Sequence, residues 1–459
     1  MPFYPALKIS ASNSSQQKAK KKRTAQRIKN LKKALIDHFK ESSVGDNPSE
    51  SVRIATWNLR EYGGSKYNGR DYECVYYIAE IISHFDLVAL QEIRIDTDDY
   101  DDFDNLLRIL GPSWSFIATD VTDGSAGNKE RMVFLYNRKK VFFKNIAGEL
   151  TLKEGVKIKA HFGERIKLEQ GLKLKLPTGS DLSGTYGARL KTSGGQKKLD
   201  ADLEIPLPNK TLLELPEGTH LTLVKNTVVT SPGRGKANVT IPNTISGDDY
   251  RLRFMNNIFD DSLRQFARTP FLISFQAGWL KLNLCTVHIY YGDDGKRKLE
   301  QRRSEIEMLT KALANKAKTE FKQDKEAFMG VLGDFNIVGK GHPTMEALES
   351  NGFVIPEALK SIPGSNVKKD RAYDQIAFWN PKRNTEYAKL DVMGANVFDF
   401  FEHVFKKEDE ATYRAENNNG LKDKTSFNDW RTYKMSDHLP MWIELRTDFG
   451  KEYLDNVTD

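Results

Sequence analysis

FMGVLGDFNI, residues 328–337, is the stretch on which the reading of this chain turns. Phe328, Met329, Val331 and Leu332 make a short apolar run of the kind a strand buried on both faces shows. The run ends at Gly333 and delivers two hard-oxygen side chains, Asp334 and Asn336, two residues apart. Extended backbone would point that pair to the same side. Three further phrases repeat the arrangement. TWNL (56–59) closes the apolar VRIATWNL, QEI (91–93) closes DLVALQEI, and SDHLP (436–440) adjoins LPMWIELR. Asn58, Glu92, Asp334, Asn336 and Asp437 thus offer oxygens suited to Mg²⁺ or Mn²⁺, and thiolate ligands are lacking. Taken singly, an Asp at a strand end is more often a turn former or helix cap, and SDH has the same bland reading. Four such phrases in order, each beside an apolar strand, are hard to obtain by accident.

Between these phrases the texture alternates. Val75, Ile78, Ile81, Ile82 and Phe85 recur at helical intervals, as do Leu299, Ile306, Leu309, Leu313 and Ala317. RMVFLYN, FLISF, LKLNLCTVHI and YDQIAFW read as further strands, and PTMEALES as a short helix. Strands alternating with helices predict an α/β core over 51–150 and 246–447. Residues 151–245 interrupt it with KLKLP, ADLEIPLP, TLLELP, HLTLVK and NVTIP, set between turn residues and holding only two aromatics, Phe162 and Tyr186. This predicts an inserted all-β module. Residues 1–20 are polar and expected to be loose. From Arg23 to Phe39, Ile28, Leu31, Leu35 and Phe39 predict an amphipathic helix within a basic N-terminal extension, residues 1–50. Residues 448–459 form a C-terminal tail.

The charge is unevenly placed. The chain carries +7, and residues 1–50 hold 11 Lys or Arg against 4 acids, with nine cations and no acid from Lys18 to Lys33. Residues 151–245 hold 15 cations against 9 acids, so the remainder is acidic. Basic attachments on an acidic body suit a polyanion partner, a nucleic acid above all, although a solvated surface has the same totals. For the module the alternative is contact with a protein or self-association. No apolar run approaches the ~18 residues of a membrane span, so membrane insertion is not expected. The start lacks the order of a secretory signal, which leads to the expectation of a cytoplasmic protein. Two cysteines, Cys74 and Cys285, allow no disulfide framework and read as buried hydrophobes.

Together the four phrases resemble the endonuclease/exonuclease/phosphatase superfamily, and its deoxyribonuclease-like branch most closely. The resemblance covers about residues 51–150 and 246–447. It implies a four-layered sandwich, two mixed sheets face to face with helices outside, and hydrolysis of a phosphodiester by a metal-assisted water. By motif it makes Glu92 the principal metal ligand, with Asn58 and Asp437 at the metal, and has Asp334 and Asn336 engage the water and phosphate. His438 would face the scissile phosphate with Asp374 of YDQI as its partner. His288, closing LKLNLCTVHI, would be a second catalytic histidine where apurinic endonucleases have tyrosine; a histidine capping a strand end is the plain alternative. Arg268 would contact a substrate phosphate, with a surface salt bridge as the competing role, and Tyr291 would extend the same surface. Arg131 reads as structural. GDFNIVG and RAYDQIAFW depart from the GDLNYR and PAWCDRIL phrases of the inositol-phosphate branch, which weakens that reading, and a deoxyribonuclease-like enzyme fits motifs and charge best, with DNA favoured over RNA. A phosphoesterase acting on inositol phosphate or lipid head groups, or a non-catalytic nucleic-acid binder, is the alternative.

Overall fold

The computed structural model describes residues 2–42, 50–94, 101–120, 130–150, 266, 268–322, 326–382, 389–416 and 419–458, and the backbone of eight short strands between 156 and 240. The chain divides into two compact units. One comprises Met1–Leu150, Arg268–Tyr291 and Leu309–Asp459; the other comprises Thr151–Ala267 and Gly292–Met308.

Chain order begins α1 (Ser15–Ser42), β1 (Ser51–Tyr62), α2 (Tyr72–Ile82), β2 (Leu87–Ile93), α3 (Asp101–Leu110), β3 (Trp114–Ala118), β4 (Arg131–Asn137) and β5 (Phe142–Glu149). Eight strands follow: β6 (Val156–Lys159), β7 (Glu164–Leu168), β8 (Leu172–Leu176), β9 (Leu203–Leu207), β10 (Leu212–Leu215), β11 (His220–Leu223), β12 (Val228–Thr230) and β13 (Asn238–Thr240). Then come β14 (Phe271–Ala277), β15 (Leu280–His288), α4 (Lys296–Phe321), β16 (Ala327–Ile337), α5 (Pro343–Leu348), β17 (Phe353–Val354), α6 (Glu357–Lys360) and β18 (Ala372–Trp379). The chain closes with β19 (Val392–Val397), α7 (Glu410–Arg414), α8 (Phe427–Lys434), β20 (Met441–Arg446) and α9 (Gly450–Thr458).

The first unit is an α/β sandwich of two six-stranded mixed sheets flanked by helices, as expected. Their orders are β19-β20-β1-β2-β4-β3 and β17-β18-β16-β15-β14-β5. Each has a single parallel pair at its centre, β1 with β2 and β15 with β16. Those central strands are covered on both faces, which is why they read as unbroken apolar runs. Aromatic rings knit the sheets together, Phe134 meeting Phe275 at 5.5 Å and Phe271 at 6.2 Å between centroids. Polar links cross between the sheets as well. The buried Gln91 amide donates to Thr56 Oγ1 (3.1 Å) on its own sheet and to Thr286 Oγ1 (3.0 Å) on the facing one.

The N-terminal helix is longer than expected and is part of this unit. Ile28, Leu31, Leu35 and Phe39 are all buried, and Phe39 packs against Trp442 and Phe85. Residues 3–6, expected to be loose, are tied down: Phe3 N donates to Ile109 O and Ala6 N to Tyr76 Oη, each at 2.8 Å.

In the second unit the eight strands pair into two antiparallel four-stranded sheets, β10-β7-β12-β13 and β6-β11-β8-β9. That is the β-rich character expected of 151–245. The module's expected boundary at 245 lies outside the described residues. Its entry is defined in the first unit, where β5 pairs with β14 and Leu150 N donates to Pro270 O at 2.8 Å.

Candidate active site

The sheet register builds the site. His288, Asp334 and Asp374 are direct partners on β15, β16 and β18, so three chemically active side chains stand in one row across the second sheet. Gly333 makes the row possible. Its φ is +146°, and a Cβ there would lie 2.1 Å from Val287 O on the neighbouring strand. Only glycine allows that approach, and Asp334 follows it directly. Asn336 turns into the left-handed region, φ +52°, and the β16–β18 pairing breaks between Asp334 and Ile337. Asn336 N donates to Asp334 Oδ1 (2.9 Å) and its amide to Ile289 O (2.8 Å), which fixes both members of GDFN.

From the facing sheet come Asn58 and Glu92. Glu92 also adopts φ +59°, where the β2–β4 register shifts. A left-handed glutamate is uncommon and costs backbone energy, which the surrounding pairing must offset. Glu61 N donates to Glu92 Oε2 (3.0 Å). Asn58 is 1% exposed, and its amide nitrogen donates to Glu92 Oε1 (2.9 Å) and Asp334 Oδ2 (3.0 Å), joining the two sheets' carboxylates. In this arrangement the nitrogen of Asn58, not its oxygen, faces Glu92; the oxygen accepts from Arg60 N at 2.9 Å.

The two histidines bracket Asp334. His438 Nδ1 lies 2.8 Å from Asp374 Oδ2, and its Nε2 lies 3.6 Å from Asp334 Oδ2. His288 Nε2 lies 3.5 Å from the same oxygen and 3.9 Å from Glu92 Oε1. His438 is locked by its own phrase: Ser436 Oγ donates to Asn58 O (2.5 Å) and accepts from His438 N (2.9 Å), while Trp57 Nε1 donates to His438 O (2.9 Å). The environments push the imidazoles apart. Burial alone would lower both. At His438 the Asp374 and Asp334 carboxylates outweigh it, so its pKa lies well above the usual histidine value. At His288 burial, reinforced by Arg268, prevails over Asp334 and Glu92 and lowers the pKa to about 4. Burial likewise raises Asp334, against the pull of both imidazoles.

One residue of the site was not singled out in the sequence. Glu130, 2% exposed, approaches His288 Nδ1 to 2.8 Å and pairs with Arg268 Nε. Burial raises its carboxyl to about 7, although Arg268 and Arg94 oppose the shift. Its only signal was adjacency: it precedes Arg131 in ERMVFLY, and Arg131 is structural, donating to Thr119 O at 2.6 Å. Arg268 is 8% exposed and held by Glu130 rather than standing free at a surface. Tyr291 is 38% exposed and meets Tyr373 edge-on at 6.2 Å; Tyr373 in turn lies over His438 at 5.4 Å. Asp437 has a half-exposed carboxylate that lies 3.7 Å from Arg60 Nε.

Two groups among the described residues could hold a metal ion, Glu92 with Glu130 and His288, and Asp334 with Asp374 and His438; within each the donor atoms lie within 4.8 Å of one another. Carboxylates with an imidazole suit a hard divalent cation. Asp374 Oδ1 is buried without a hydrogen-bond partner among the described residues, a cost that a cation or its water would relieve.

No family model and no curated protein matches the sequence. Among solved structures the chain is similar to an endonuclease/exonuclease/phosphatase family protein from Bacteroides thetaiotaomicron, at 14% identity over 87% of this chain and 98% of that one, with a TM-score of 0.40. It is also similar to the human Nocturnin catalytic domain (11% identity, 86% and 94% covered, TM-score 0.38). A third is the mannosyl-6-phosphatase Bt3783 of Bacteroides thetaiotaomicron (13% identity, 86% and 99% covered, TM-score 0.39). At these values the likeness adds nothing to what the site's own groups carry.

Proposed function

We propose that this chain is a divalent-metal-dependent phosphodiesterase of the endonuclease/exonuclease/phosphatase type that hydrolyses a nucleic-acid backbone, DNA in preference to RNA. The observation that carries the reading is the convergence of Asn58 and Glu92 from one sheet with His288, Asp334 and Asp374 from the other, closed by His438. Glu92, with Glu130 and His288, would hold Mg²⁺ or Mn²⁺, which would offset charge on the phosphate and lower the pKa of a water.

The remaining work falls to the chain's own groups. Asp374 fixes the His438 ring through Nδ1 and leaves Nε2 turned to the position beside Asp334, where it holds or moves a proton for the phosphate. Asp334 stands between both imidazoles and orients the attacking water, and the Asn336 amide is anchored next to it. His288, with Glu130 behind it at Nδ1, faces the same point from the opposite side and, as the neutral imidazole its burial favours, suits contact with the phosphate rather than proton donation. Attack is in line and needs no covalent enzyme intermediate. Tyr291 and Tyr373 extend an aromatic ledge from His438, and Arg268 supports the His288 side through Glu130. Two buried, unbridged cysteines accord with a cytoplasmic setting. No helix among the described residues is long and apolar enough to cross a membrane.

The test is a panel of circular DNA, end-labelled duplex, abasic duplex, RNA and inositol phosphates, with Mg²⁺ and with chelator, for the native chain and Glu92→Gln. Metal-dependent DNA cleavage that Glu92→Gln nearly abolishes, with the fold intact, is the expected result. Glu92→Gln turnover close to native under saturating Mg²⁺ would sink the metal assignment; hydrolysis of inositol phosphates alone would replace the substrate.

A further inference from the structure

Helix α1 carries cations of two kinds. Lys20, Arg23 and Arg27 turn inward. Lys20 pairs with Asp71 at 2.6 Å, Arg23 with Glu416 and with the buried Glu73 at 3.0 Å, and Arg27 with Asp409 at 2.6 Å. Tyr77 and Tyr413 complete the shell on Glu73 at 2.8 and 2.9 Å. These three cations hold the helix on the fold and are not available to a partner.

The others turn outward. Lys18, Lys22, Lys29, Lys33 and Lys40 follow one another at intervals of four, seven, four and seven residues, the spacing of a single helical face. The last four are exposed, and none of the five forms an ion pair or side-chain hydrogen bond among the described residues. At about 1.5 Å per residue the row is roughly 33 Å long, with neighbours about 6 or 10 Å apart along the axis. The only acids of α1, Asp37 and Glu41, lie in its last two turns.

We infer that this outer face of α1 is a docking rail for the phosphate backbone of a nucleic acid. Choosing a nucleic acid among polyanions rests on the phosphodiesterase reading; the rail itself rests on α1. Lysine is a point charge on a flexible stem, so a row of lysines meets phosphates without reading bases. No aromatic side chain stands in the row to stack on a base, so engagement is through backbone charge and independent of sequence. A lipid surface fits less well. A helix lying in a bilayer needs its apolar face, and here Ile28, Leu31, Leu35 and Phe39 are buried in the protein, with Ile36 the large apolar side chain left exposed on the outer side.

The full chain and the fourfold variant Lys22→Gln, Lys29→Gln, Lys33→Gln, Lys40→Gln are compared for binding of long duplex DNA in chelator, so that turnover plays no part. The expected result is a slope of log affinity against log salt that is shallower by about 3–4, since each lost phosphate contact removes about 0.9. The melting temperature and turnover of bis(p-nitrophenyl) phosphate should be unchanged. An unaltered slope overturns the rail, as does a native chain that binds phosphatidylserine vesicles through these lysines but not DNA. If the slope falls while the native chain hydrolyses no phosphodiester with any metal, the rail stands and the hydrolase reading fails instead.

Discussion

At the site, single residues act through pairs, and the pairs decide what a substitution does. Asp374→Asn keeps the shape beside His438 but removes the charge that holds the ring, 2.8 Å away, in its protonated form. It should lower kcat in the same direction as His438→Ala, by roughly 10²-fold or more if His438 transfers a proton. Glu130→Gln should likewise follow His288→Ala, and the double variant should lose far less than the product of the two, because the residues share one interaction. Steady-state kinetics on a small phosphodiester check both; an effect confined to KM, or fully multiplicative losses, would make these groups binders or independent actors. Asp334 was legible because it closes an apolar run, which is what a side chain at the end of a buried strand looks like, while Asp374, His288 and His438 entered only through the resemblance of the four phrases. Glu130 was not, since its role depends on where β4 starts relative to β15, a long-range relation that the local text ERMVFLY does not encode. Asn58 and Asp437 were legible as oxygens, but the hydrogen bond that turns Asn58 toward Glu92 and the ion pair of Asp437 with Arg60 are long-range contacts that sequence spacing leaves open.

Among the elements, α1 is the one whose role differs most from its sequence appearance. Its helical period was plain, but dense positive charge made it read as an attachment, whereas three of its cations are consumed by acids brought in from residues 71–73 and 409–416. The helix end carries a further consequence. His38 Nε2 accepts from Trp442 Nε1 at 3.0 Å, which requires an unprotonated nitrogen. Burial, with His403 and Arg53 adding to it, lowers its pKa to about 4 from the usual 6.5. Folded His38 therefore stays neutral where the unfolded chain already binds a proton. Its contribution is fully present above about pH 6.5 and is lost as the pH falls from there toward 4. His38→Asn, which cannot titrate, should flatten that part of the profile. Urea midpoints for both chains across this range check it; parallel profiles would show that His38 carries no such linkage. Helix α8 and strand β19, by contrast, gave no clear period in the sequence. Arg431 and Lys434 are buried in α8 despite their charge, and β19 is only partly covered.

For the whole molecule, the α/β character was legible because the doubly covered central strands read as unbroken apolar runs between helical text, whereas the sandwich itself was implied by the resemblance of the four phrases. The boundary of the inserted segment was harder to place, since turn residues mark every hairpin in it equally. The Leu150–Pro270 hydrogen bond and the β5–β14 pairing bring its two ends together, so residues 151–267 can be bridged without stretching the core. Joining Leu150 to Arg268 by a short Gly/Ser linker should keep turnover of a small phosphodiester and weaken binding of long duplex, given 15 cations against 9 acids in 151–245. Duplex affinity that survives while a dimer or a partner complex disappears would make the segment an assembly device. The central claim is that Glu92 and its neighbours form a hard-cation phosphodiesterase centre. Crystals soaked in Mn²⁺ and measured for anomalous scattering test it most directly. The expected result is a peak at ligand distance from a Glu92 carboxylate oxygen that vanishes in Glu92→Gln; no peak there, at Mn²⁺ concentrations that saturate hydrolysis, would contradict it.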